Sequence, residues 1–577
     1  MSSNWFFRVV SAALCCVATL PANAQNPLLI PDTLVGPNIQ LNVAAGTMNY
    51  FPGLTTPTLG YNGNILGPTL LLNTGDSVTF HVTNQLNTAT TVHWHGFHVA
   101  PEHDGGPHQL IAPNTTWSPG FKIRNRASTL WYHPHGEGKT ELQVTRGLAG
   151  FAIVRDAQEA AFALPRKYGV DDFPIVLQSK AVDVLGQFAI ATHEDSIMLV
   201  NGTLNPYLNV PQQVVRFRLL NGSADRTYWL GLSDNADFSL IASDGGLLSA
   251  PLVTNRVRLS PGERAEILVS FASSTIGDSL DMISYASELP HGIIGADTVG
   301  LGANLIGEGY YTNPLNGQDF RVLRLHVAAP TSNPILAIPA AFDPVIPIDT
   351  NAVDEHRHLH FAADTAGFGE VALVDGPFHI NAQPFNMDSI NIRTQLNHKE
   401  IWTLTNATRV AHPFHIHDIQ FFVLDINGNP PPPQYAGWKD VILVMPEDTV
   451  RFVAVFDDFA NDSIPYMYHC HLLHHEDDGM MGQFLVMNPA TGASDAVHNS
   501  VEWTLFPNPA TDEIQLLWKG NSMRQAKLQI LDSQGKIVLN QSFPANGTVN
   551  IDGLSAGIYL LKVSTREGVS VKKFLKR

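Results

Sequence analysis

The amino-acid sequence predicts an all-β protein built from several β-sandwich domains. Its 577 residues exceed what one hydrophobic core usually holds, so more than one domain is expected. The chain has 45 Gly and 38 Pro and few long helical patterns, which is typical of short strands joined by many turns. One strand pattern occurs three times along the chain, which indicates that the sandwiches are related to one another.

Two asparagine positions mark each copy of this repeat. The first Asn lies in a turn that is followed by a proline, and the second ends an alternating apolar strand with an aromatic residue four positions before it. The turn residues are Asn62, Asn201 and Asn381, and the strand-end pairs are Phe80 with Asn84, Phe217 with Asn221, and Trp402 with Asn406. These markers predict three homologous sandwiches.

The segments around the repeat predict how the chain is divided. Residues 1–24 have an Arg-bearing start, an apolar run and a small-residue exit, which predict a secretory signal peptide cut before Gln25. We assign the three sandwiches to residues 25–160, 161–335 and 336–490, a linker to 491–503, and a different small β-sandwich to 504–577. No later segment has the roughly 18 uninterrupted apolar residues of a transmembrane helix. The formal net charge of -18 argues against nucleic acid or an anionic membrane as a partner.

The tripeptide His469-Cys470-His471 contains the one cysteine that remains after export, because Cys15 and Cys16 lie in the signal peptide. Successive side chains of a strand point to opposite faces, so the thiol faces one way and both imidazoles face the other. A metal held by the thiolate would therefore lie on one side of this peptide, with metals held by the two His on the other. The peptide itself would be a short covalent route for electrons.

Three more residues complete a metal site around the thiol. His475 and Met480 follow Cys470 by five and ten positions, and His412 begins a second His-rich motif in the third repeat. Two His, one Cys and a weak axial Met are the ligands of a blue-copper site. We predict such a site here.

Four His-x-His pairs supply eight imidazoles, and the i, i+2 spacing allows both rings of a pair to project from one face of a strand. Three copper ions with three, three and two His ligands would use all eight. Chance would give about one such pair at this composition. The pairs are His93/His95, His133/His135, His415/His417 and His469/His471.

The remaining histidines near these motifs are expected to have no metal role. His356, His358 and His360 form two further pairs at the start of the third repeat, and we interpret them as a polar strand face because no second cluster pairs with them. Surface positions are expected for His98, His103, His108 and His474.

Over about residues 35–490 the chain resembles the three-domain multicopper oxidases of the laccase, bilirubin oxidase, spore-coat and copper-efflux type. The resemblance implies cupredoxin-like Greek-key sandwiches and four copper ions: one type 1, one type 2 and a type 3 pair. It implies His412, Cys470, His475 and axial Met480 at the type 1 copper, His93 and His415 at the type 2 copper, and His95, His133, His135, His417, His469 and His471 at the type 3 pair. Supporting matches are Asp104–Pro107, Arg218–Ser223, Pro261–Glu266 and Gly437–Asp440. The second sandwich has no His near its marker and is expected to be a spacer.

Two carboxylates stand beside the His motifs. Asp104 lies eleven residues after His93, and Glu476 directly follows His475. Reducing dioxygen to water consumes protons, so acids near the cluster are expected to deliver them, and the resemblance implies this role. Each is also placed to orient a ligand His. Asp477 and Asp478 are expected to form a solvated loop.

The resemblance implies an oxidase that takes electrons singly from a small reductant and reduces dioxygen to water. The mature Met residues are scattered, and soft thioethers suit Cu(I), so we expect a phenolic or similar organic reductant. The alternatives are a Cu(I) or Fe(II) metallo-oxidase and a non-catalytic scaffold like the division proteins of this fold. The last unit resembles the sorting domain of type IX secretion, which implies passage across the outer membrane to a secreted or cell-surface location. A monomer is expected.

Overall fold

The computed structural model describes residues 25–190, 194–300, 310, 312–364, 374, 376–381, 383–489, 503–518, 526–532, 535–544, 547–564 and 569–577. The chain divides into two compact units, one up to Asn488 and one from Pro489. The predicted signal peptide and almost all of the predicted linker lie outside the described residues. Strands make up 48% of the structure and helices only 5%, so the predicted all-β class is confirmed.

The first sandwich packs two sheets, in the orders β2-β5-β11-β10-β7 and β4-β3-β6-β8. In chain order its elements are β1 Asn26–Pro27, β2 Thr33–Leu34, β3 Asn38–Met48, β4 Thr56–Tyr61, β5 Thr69–Asn73, β6 Ser77–Asn84, β7 His93–His95, a 3-10 turn at Pro101–His103, β8 Thr116–Trp117, β9 Gly120–Lys122, β10 Ser128–His133, α1 Thr140–Thr145, β11 Gly150–Arg155 and α2 Ala157–Ala160. The short β1 pairs instead with Pro206 and Tyr207 of the following sandwich.

The second sandwich has sheets β1-β16-β24-β23-β18-β21 and β15-β14-β12-β17-β22-β19-β20. Its elements are β12 Asp172–Val182, β13 Phe188–Ala189, β14 Ile197–Val200, β15 Thr203–Leu204, β16 Pro206–Pro211, β17 Val214–Asn221, β18 Tyr228–Leu232, β19 Phe238–Ser243, β20 Gly246–Thr254, β21 Val257–Leu259, β22 Arg264–Ser270, β23 Ser279–Ser284, a 3-10 turn at Ala286–Glu288 and β24 Phe320–Ala328.

The third sandwich has sheets β26-β25-β28-β32-β30 and β27-β34-β33-β29-β31. Its elements are β25 Glu355–Ala363, β26 Phe378–Ile380, β27 Ile392–Gln395, β28 His398–Asn406, β29 His412–Ile416, β30 Phe422–Ile426, a 3-10 turn at Pro433–Tyr435, β31 Val441–Val444, β32 Thr449–Phe456, β33 Tyr466–Cys470, α3 Leu473–Asp477 and β34 Met481–Met487.

The unit from Pro489 contains a three-stranded and a four-stranded sheet around its own core, as predicted for a small separate sandwich. Its strands are β35 Trp503–Phe506, β36 Glu513–Trp518, β37 Lys527–Leu531, β38 Ile537–Ser542, β39 Thr548–Asn550, β40 Gly557–Ser564 and β41 Val569–Lys576.

The three copies of the sequence repeat share one pattern of strand pairing and side-chain hydrogen bonds. In each sandwich a long early strand pairs in parallel with the strand that ends on the marker Asn: β3 with β6, β12 with β17, and β25 with β28. The Nδ2 group of each marker Asn donates to two main-chain carbonyls, one four or five residues later and one far away in the sequence. Its Oδ1 atom accepts from the main-chain amide two residues later. The residues are Asn84, Asn221 and Asn406. This arrangement fixes the loop after each strand, which in the third sandwich leads directly to His412.

Candidate metal centres

The structure brings the eight histidines of the four pairs into one cluster. Strand β7 pairs antiparallel with β10 so that His93 faces His133, and β29 pairs with β33 so that His415 faces His469. The two strand pairs meet, and the ring of His95 stacks on that of His415 with 3.8 Å between centroids. The eight side chains, none more than 1% exposed, are His93, His95, His133, His135, His415, His417, His469 and His471.

Strand alternation does not hold these pairs together in the way we predicted. Only the pair in β7 lies within one strand. His135, His417 and His471 all come just after the ends of their strands, so it is the turns there that bring their rings into the cluster. Gly262 of the second sandwich contacts the last of them: its φ is +85°, and a Cβ on it would lie 2.8 Å from the His471 ring.

Hydrogen bonds set which nitrogen of each ring faces the centre of the cluster. Nδ1 of His93, His415 and His469 lies 3.0, 2.8 and 2.9 Å from a main-chain carbonyl oxygen. A carbonyl only accepts, so Nδ1 carries the proton and Nε2 keeps its lone pair. Among the described residues these three Nε2 atoms have no hydrogen-bond partner. Buried nitrogen lone pairs without partners fit metal ligands.

Asp104 and Glu476 each lie between two rings of the cluster, and both are buried. An Asp104 Oδ2 atom accepts a hydrogen bond of 2.7 Å from Nδ1 of His417. The two Glu476 oxygens lie 3.3 Å from Nδ1 of His135 and 3.2 Å from Nδ1 of His469. Burial would raise the pKa of Glu476, but the two imidazoles outweigh it and lower the pKa well below its ordinary value.

Asp440 also contacts the cluster, and sequence reasoning had not assigned this residue a role. Its Oδ1 lies 3.3 Å from Nε2 of His95. With Nε2 engaged by this carboxylate, Nδ1 of the His95 ring faces Nε2 of His133 at 3.3 Å. Arg264 of the second sandwich holds Asp440 with hydrogen bonds of 2.6 and 2.7 Å. The second sandwich, which we predicted to be a spacer, therefore also contributes an orienting group. Arg264 and Asp440 both lie in segments that match the family, and this match was the only sign in the sequence that they have a role at the site.

Burial lowers the pKa of several imidazoles of the cluster and so favours their neutral form. Burial, followed by the repulsion of neighbouring rings, lowers the pKa of His471 to about 3. Burial lowers the pKa of His135 to about 3, against the pull of Glu476. Burial also lowers the pKa values of His95 and His417 well below their ordinary value. A neutral imidazole is the form that binds a metal ion.

A second cluster lies on the other side of β33. Nδ1 of His412 and Nδ1 of His475 lie 3.5 and 3.6 Å from Sγ of Cys470. The main-chain carbonyl of Met480 accepts a 3.0 Å hydrogen bond from the Cys470 amide, and its side chain packs in the same buried core. Burial raises the pKa of the Cys470 thiol well above its ordinary value, so a metal must displace the thiol proton to bind there.

Thr408, which sequence reasoning missed, fixes the tautomer of His412. Its hydroxyl lies 2.8 Å from Nε2 of His412 and also 2.8 Å from Oδ1 of Asn406. The amide oxygen only accepts, so the hydroxyl donates to Asn406 and accepts the Nε2 proton of His412. Nδ1 of His412 thus presents its lone pair to Cys470.

Two predictions about the acidic segment after Cys470 are wrong. His474 is buried, not on the surface, and its Nδ1 bonds to Asp225 of the second sandwich at 2.7 Å. Asp477 is not simply solvated, because it accepts hydrogen bonds of 3.0 Å from the amides of Thr140 and Glu141. Both errors arise because helix α3 turns this segment inward. The exposed positions of His356, His358 and His360 agree with a polar strand face.

Comparison with known proteins defines the class. Residues 29–159 and 350–490 match two models of multicopper oxidase domains, and residues 504–577 match a secretion system C-terminal sorting domain. The multicopper oxidase mco of Staphylococcus haemolyticus is 33% identical over 463 residues, covering 78% of this chain and 89% of that protein. The cell division protein FtsP of Escherichia coli is 30% identical over 503 residues, covering 85% and 99%.

A solved structure agrees in fold over the same part of the chain. The laccase-like multicopper oxidase CueO of Ochrobactrum sp., which has oxidase activity towards lignin model compounds, is 33% identical with a TM-score of 0.69, covering 80% of this chain and all of that one. The chain belongs to the multicopper oxidase family, and membership implies bound copper ions and an oxidoreductase. None of the described helices is long and apolar enough to cross a membrane.

Proposed function

We propose that this protein is a secreted laccase-like oxidase with four copper ions that couples oxidation of an organic reductant to reduction of dioxygen to water. The proposal rests on two buried sets of donor atoms that lie on opposite sides of the tripeptide His469-Cys470-His471. One set is a thiol with two imidazole Nδ1 atoms, and the other is the cluster of eight imidazoles. Copper at these sets supplies one-electron chemistry at the first and dioxygen binding at the second.

The donor atoms support the ligand assignment implied by the family resemblance. His412, Cys470 and His475 offer atoms that all lie within 4.8 Å of one another, as a type 1 site needs. Met480, whose side chain packs in the same core, is assigned as the weak axial ligand. His93 and His415 are assigned to the type 2 copper. The type 3 pair takes His95, His133, His135, His417, His469 and His471.

The tripeptide His469-Cys470-His471 is a rigid connection between the two sets. Nδ1 of His469 donates to the main-chain oxygen of Cys470 at 2.9 Å, so the ring is tied to the peptide that follows the thiol. The His471 amide donates to the carbonyl of Pro413 on the neighbouring strand. These bonds fix the covalent route along which electrons pass from the thiolate to the imidazoles.

Glu476 and Asp104 are assigned to proton delivery. Each carboxylate lies against Nδ1 atoms of the cluster imidazoles, so a proton that passes through it would reach the rings that would hold the metal ions. Neither residue is more than 2% exposed, so each also orients the rings that it contacts.

An organic reductant fits the surroundings of the thiol set better than a metal ion does. Val410 is fully buried two positions before His412, and aromatic rings of Phe361 and Phe378 pack edge-on against His412 at 5.8 and 4.8 Å between centroids. These neighbours of His412 are apolar, and apolar surroundings favour an organic reductant over a metal ion. The match of residues 504–577 to a secretion sorting domain supports export, with passage through the outer membrane as the proposed route.

The test is a steady-state comparison of the copper-loaded protein with a phenol, Cu(I) and Fe(II) as reductants. We expect the phenol to give the highest kcat/KM, and faster turnover of either metal ion would favour the metallo-oxidase alternative. The absorption spectrum tests the scaffold alternative that the FtsP relatives raise: a blue band near roughly 600 nm is expected from a copper–thiolate site. If no blue band forms after copper loading, the protein is not an oxidase of this kind.

A further inference from the structure

Four histidines lie close together on the outer face of the third sandwich, away from both candidate centres. His356, His358 and His360 are exposed on β25, where the alternate residues Leu359 and Phe361 are buried. Strand β26 runs antiparallel beside β25, with His379 opposite Ala362. Its neighbours in the strand, Phe378 and Ile380, are buried, so His379 faces the same outer side. The sequence alone showed the first three and not this fourth member.

His360 is the central member of the group. His358 is two residues away along the same strand, a separation of about 6.6 Å. His379 is its diagonal neighbour on β26, at about 7–8 Å. Imidazole side chains at either separation are long enough to converge on one metal ion, so His360 is shared by two chelating pairs.

The ring of His360 is already oriented as a metal ligand. Its Nδ1 lies 3.0 Å from the hydroxyl of Thr405 on β28, and that hydroxyl donates to the main-chain oxygen of Leu359 at 3.4 Å. The hydroxyl therefore accepts the Nδ1 proton, and the Nε2 lone pair points away from the sheet. Metal-binding histidines are usually held in this way through the nitrogen that does not bind the metal.

The backbone below the ring is also fixed. The His360 amide donates to Oδ1 of Asn381 at 2.9 Å, and the Asn381 amide donates back to the His360 carbonyl at 2.8 Å. Asn381 is the turn marker of the third repeat, with a φ of +57°. An exposed ligand on a rigid strand loses little conformational freedom when a metal binds.

We propose that His360 binds one Cu(II) at the protein surface together with either His358 or His379, at a site that is separate from the four copper ions of the oxidase. Neutral imidazoles suit Cu(II), Ni(II) and Zn(II), and among these ions Cu(II) binds nitrogen ligands most tightly. The site lies on the opposite face of the β25–β26 sheet from His412. Phe361 and Phe378, which are next to His360 and His379 in sequence, point the other way and pack against the His412 ring.

The experiment titrates Cu(II) into the full-length protein after its buried centres have been loaded and excess copper has been dialysed away. We expect one further Cu(II) to bind at micromolar concentration, with nitrogen superhyperfine structure in its EPR spectrum and weaker binding of Zn(II) in competition. His360→Gln should raise the Kd of this ion by at least about tenfold, since loss of an orienting partner alone costs about 10–100-fold. The blue band and the buried copper content should not change.

His81→Gln is the matched control. His81 is also a strand histidine whose Nδ1 contacts a hydroxyl, that of Ser118 at 3.0 Å, but threonines occupy both positions two residues away. We expect this variant to bind the further Cu(II) as the wild-type protein does. Equal loss in both variants, unchanged affinity in His360→Gln, or no further ion in the wild-type protein would each overturn the proposal.

Discussion

Replacing the repeat marker Asn406 by Ala tests how the fold positions the candidate type 1 centre. The Asn406 side chain donates to the carbonyls of Val410 and Val444 at 2.8 and 3.1 Å and accepts from the Thr408 amide at 2.9 Å. Each bond contributes about 0.5–1.5 kcal/mol, and each partner left buried without one costs about 1–3 kcal/mol. We therefore expect a loss of about 2–5 kcal/mol in the third sandwich. This corresponds to a melting temperature lower by about 5–15 °C for a domain of this size.

The same substitution should change the metal site. Without Asn406, the Thr408 hydroxyl loses its acceptor at 2.8 Å and keeps only the Val410 carbonyl at 3.0 Å, which Asn406 also holds in place. The orientation of the hydroxyl toward Nε2 of His412 should therefore be less well fixed. We expect a shifted and weaker blue band and a lower affinity for the type 1 copper, measured by absorption spectroscopy and copper analysis at a temperature where the variant is folded.

Asn84→Ala is the control for stability alone. Asn84 makes the same set of hydrogen bonds in the first sandwich, to the carbonyls of Thr88 and Ile111 and from the Leu86 amide. Its substitution should lower the melting temperature by a similar amount and leave the blue band unchanged. If Asn406→Ala keeps the wild-type spectrum, or if Asn84→Ala alters it, the link between the repeat and the metal site is wrong.

Three further predictions concern single groups of the two centres. Thr408→Val removes the acceptor of the His412 Nε2 proton, so the reduction potential and the blue band should shift while stability changes by only about 1 kcal/mol; redox titration measures this. Glu476→Gln keeps the shape but cannot deliver a proton, so dioxygen reduction should slow by about 10²–10⁴-fold with copper content unchanged, as stopped-flow reoxidation would show. The metal-free protein should lose stability as pH falls below about 6.5, because unfolded histidines bind protons there while His135 and His471, with pKa values lowered to about 3 by burial, do not; thermal melts from pH 8 to pH 4 measure the slope.

The sequence was sufficient to predict the fold class and the members of both clusters, because ligand spacing and the repeat are local patterns. Contacts between distant segments were not predictable. Arg264 reaches Asp440 across 176 positions and His474 reaches Asp225 across 249, and no local pattern encodes either pairing. The His379 neighbour of the exposed triplet depends on the register between β25 and β26, which the sequence leaves open.

A Cys470→Ser variant tests the proposed electron route most directly. The hydroxyl cannot replace the thiolate that joins the two donor sets, whereas the eight imidazoles on the other side of β33 keep all their contacts. We predict that this variant has no blue band and no oxidation of reductant, yet still binds the type 2 and type 3 copper ions, as metal analysis and EPR would show. Turnover retained at the wild-type rate in the absence of the blue band would contradict the route through Cys470.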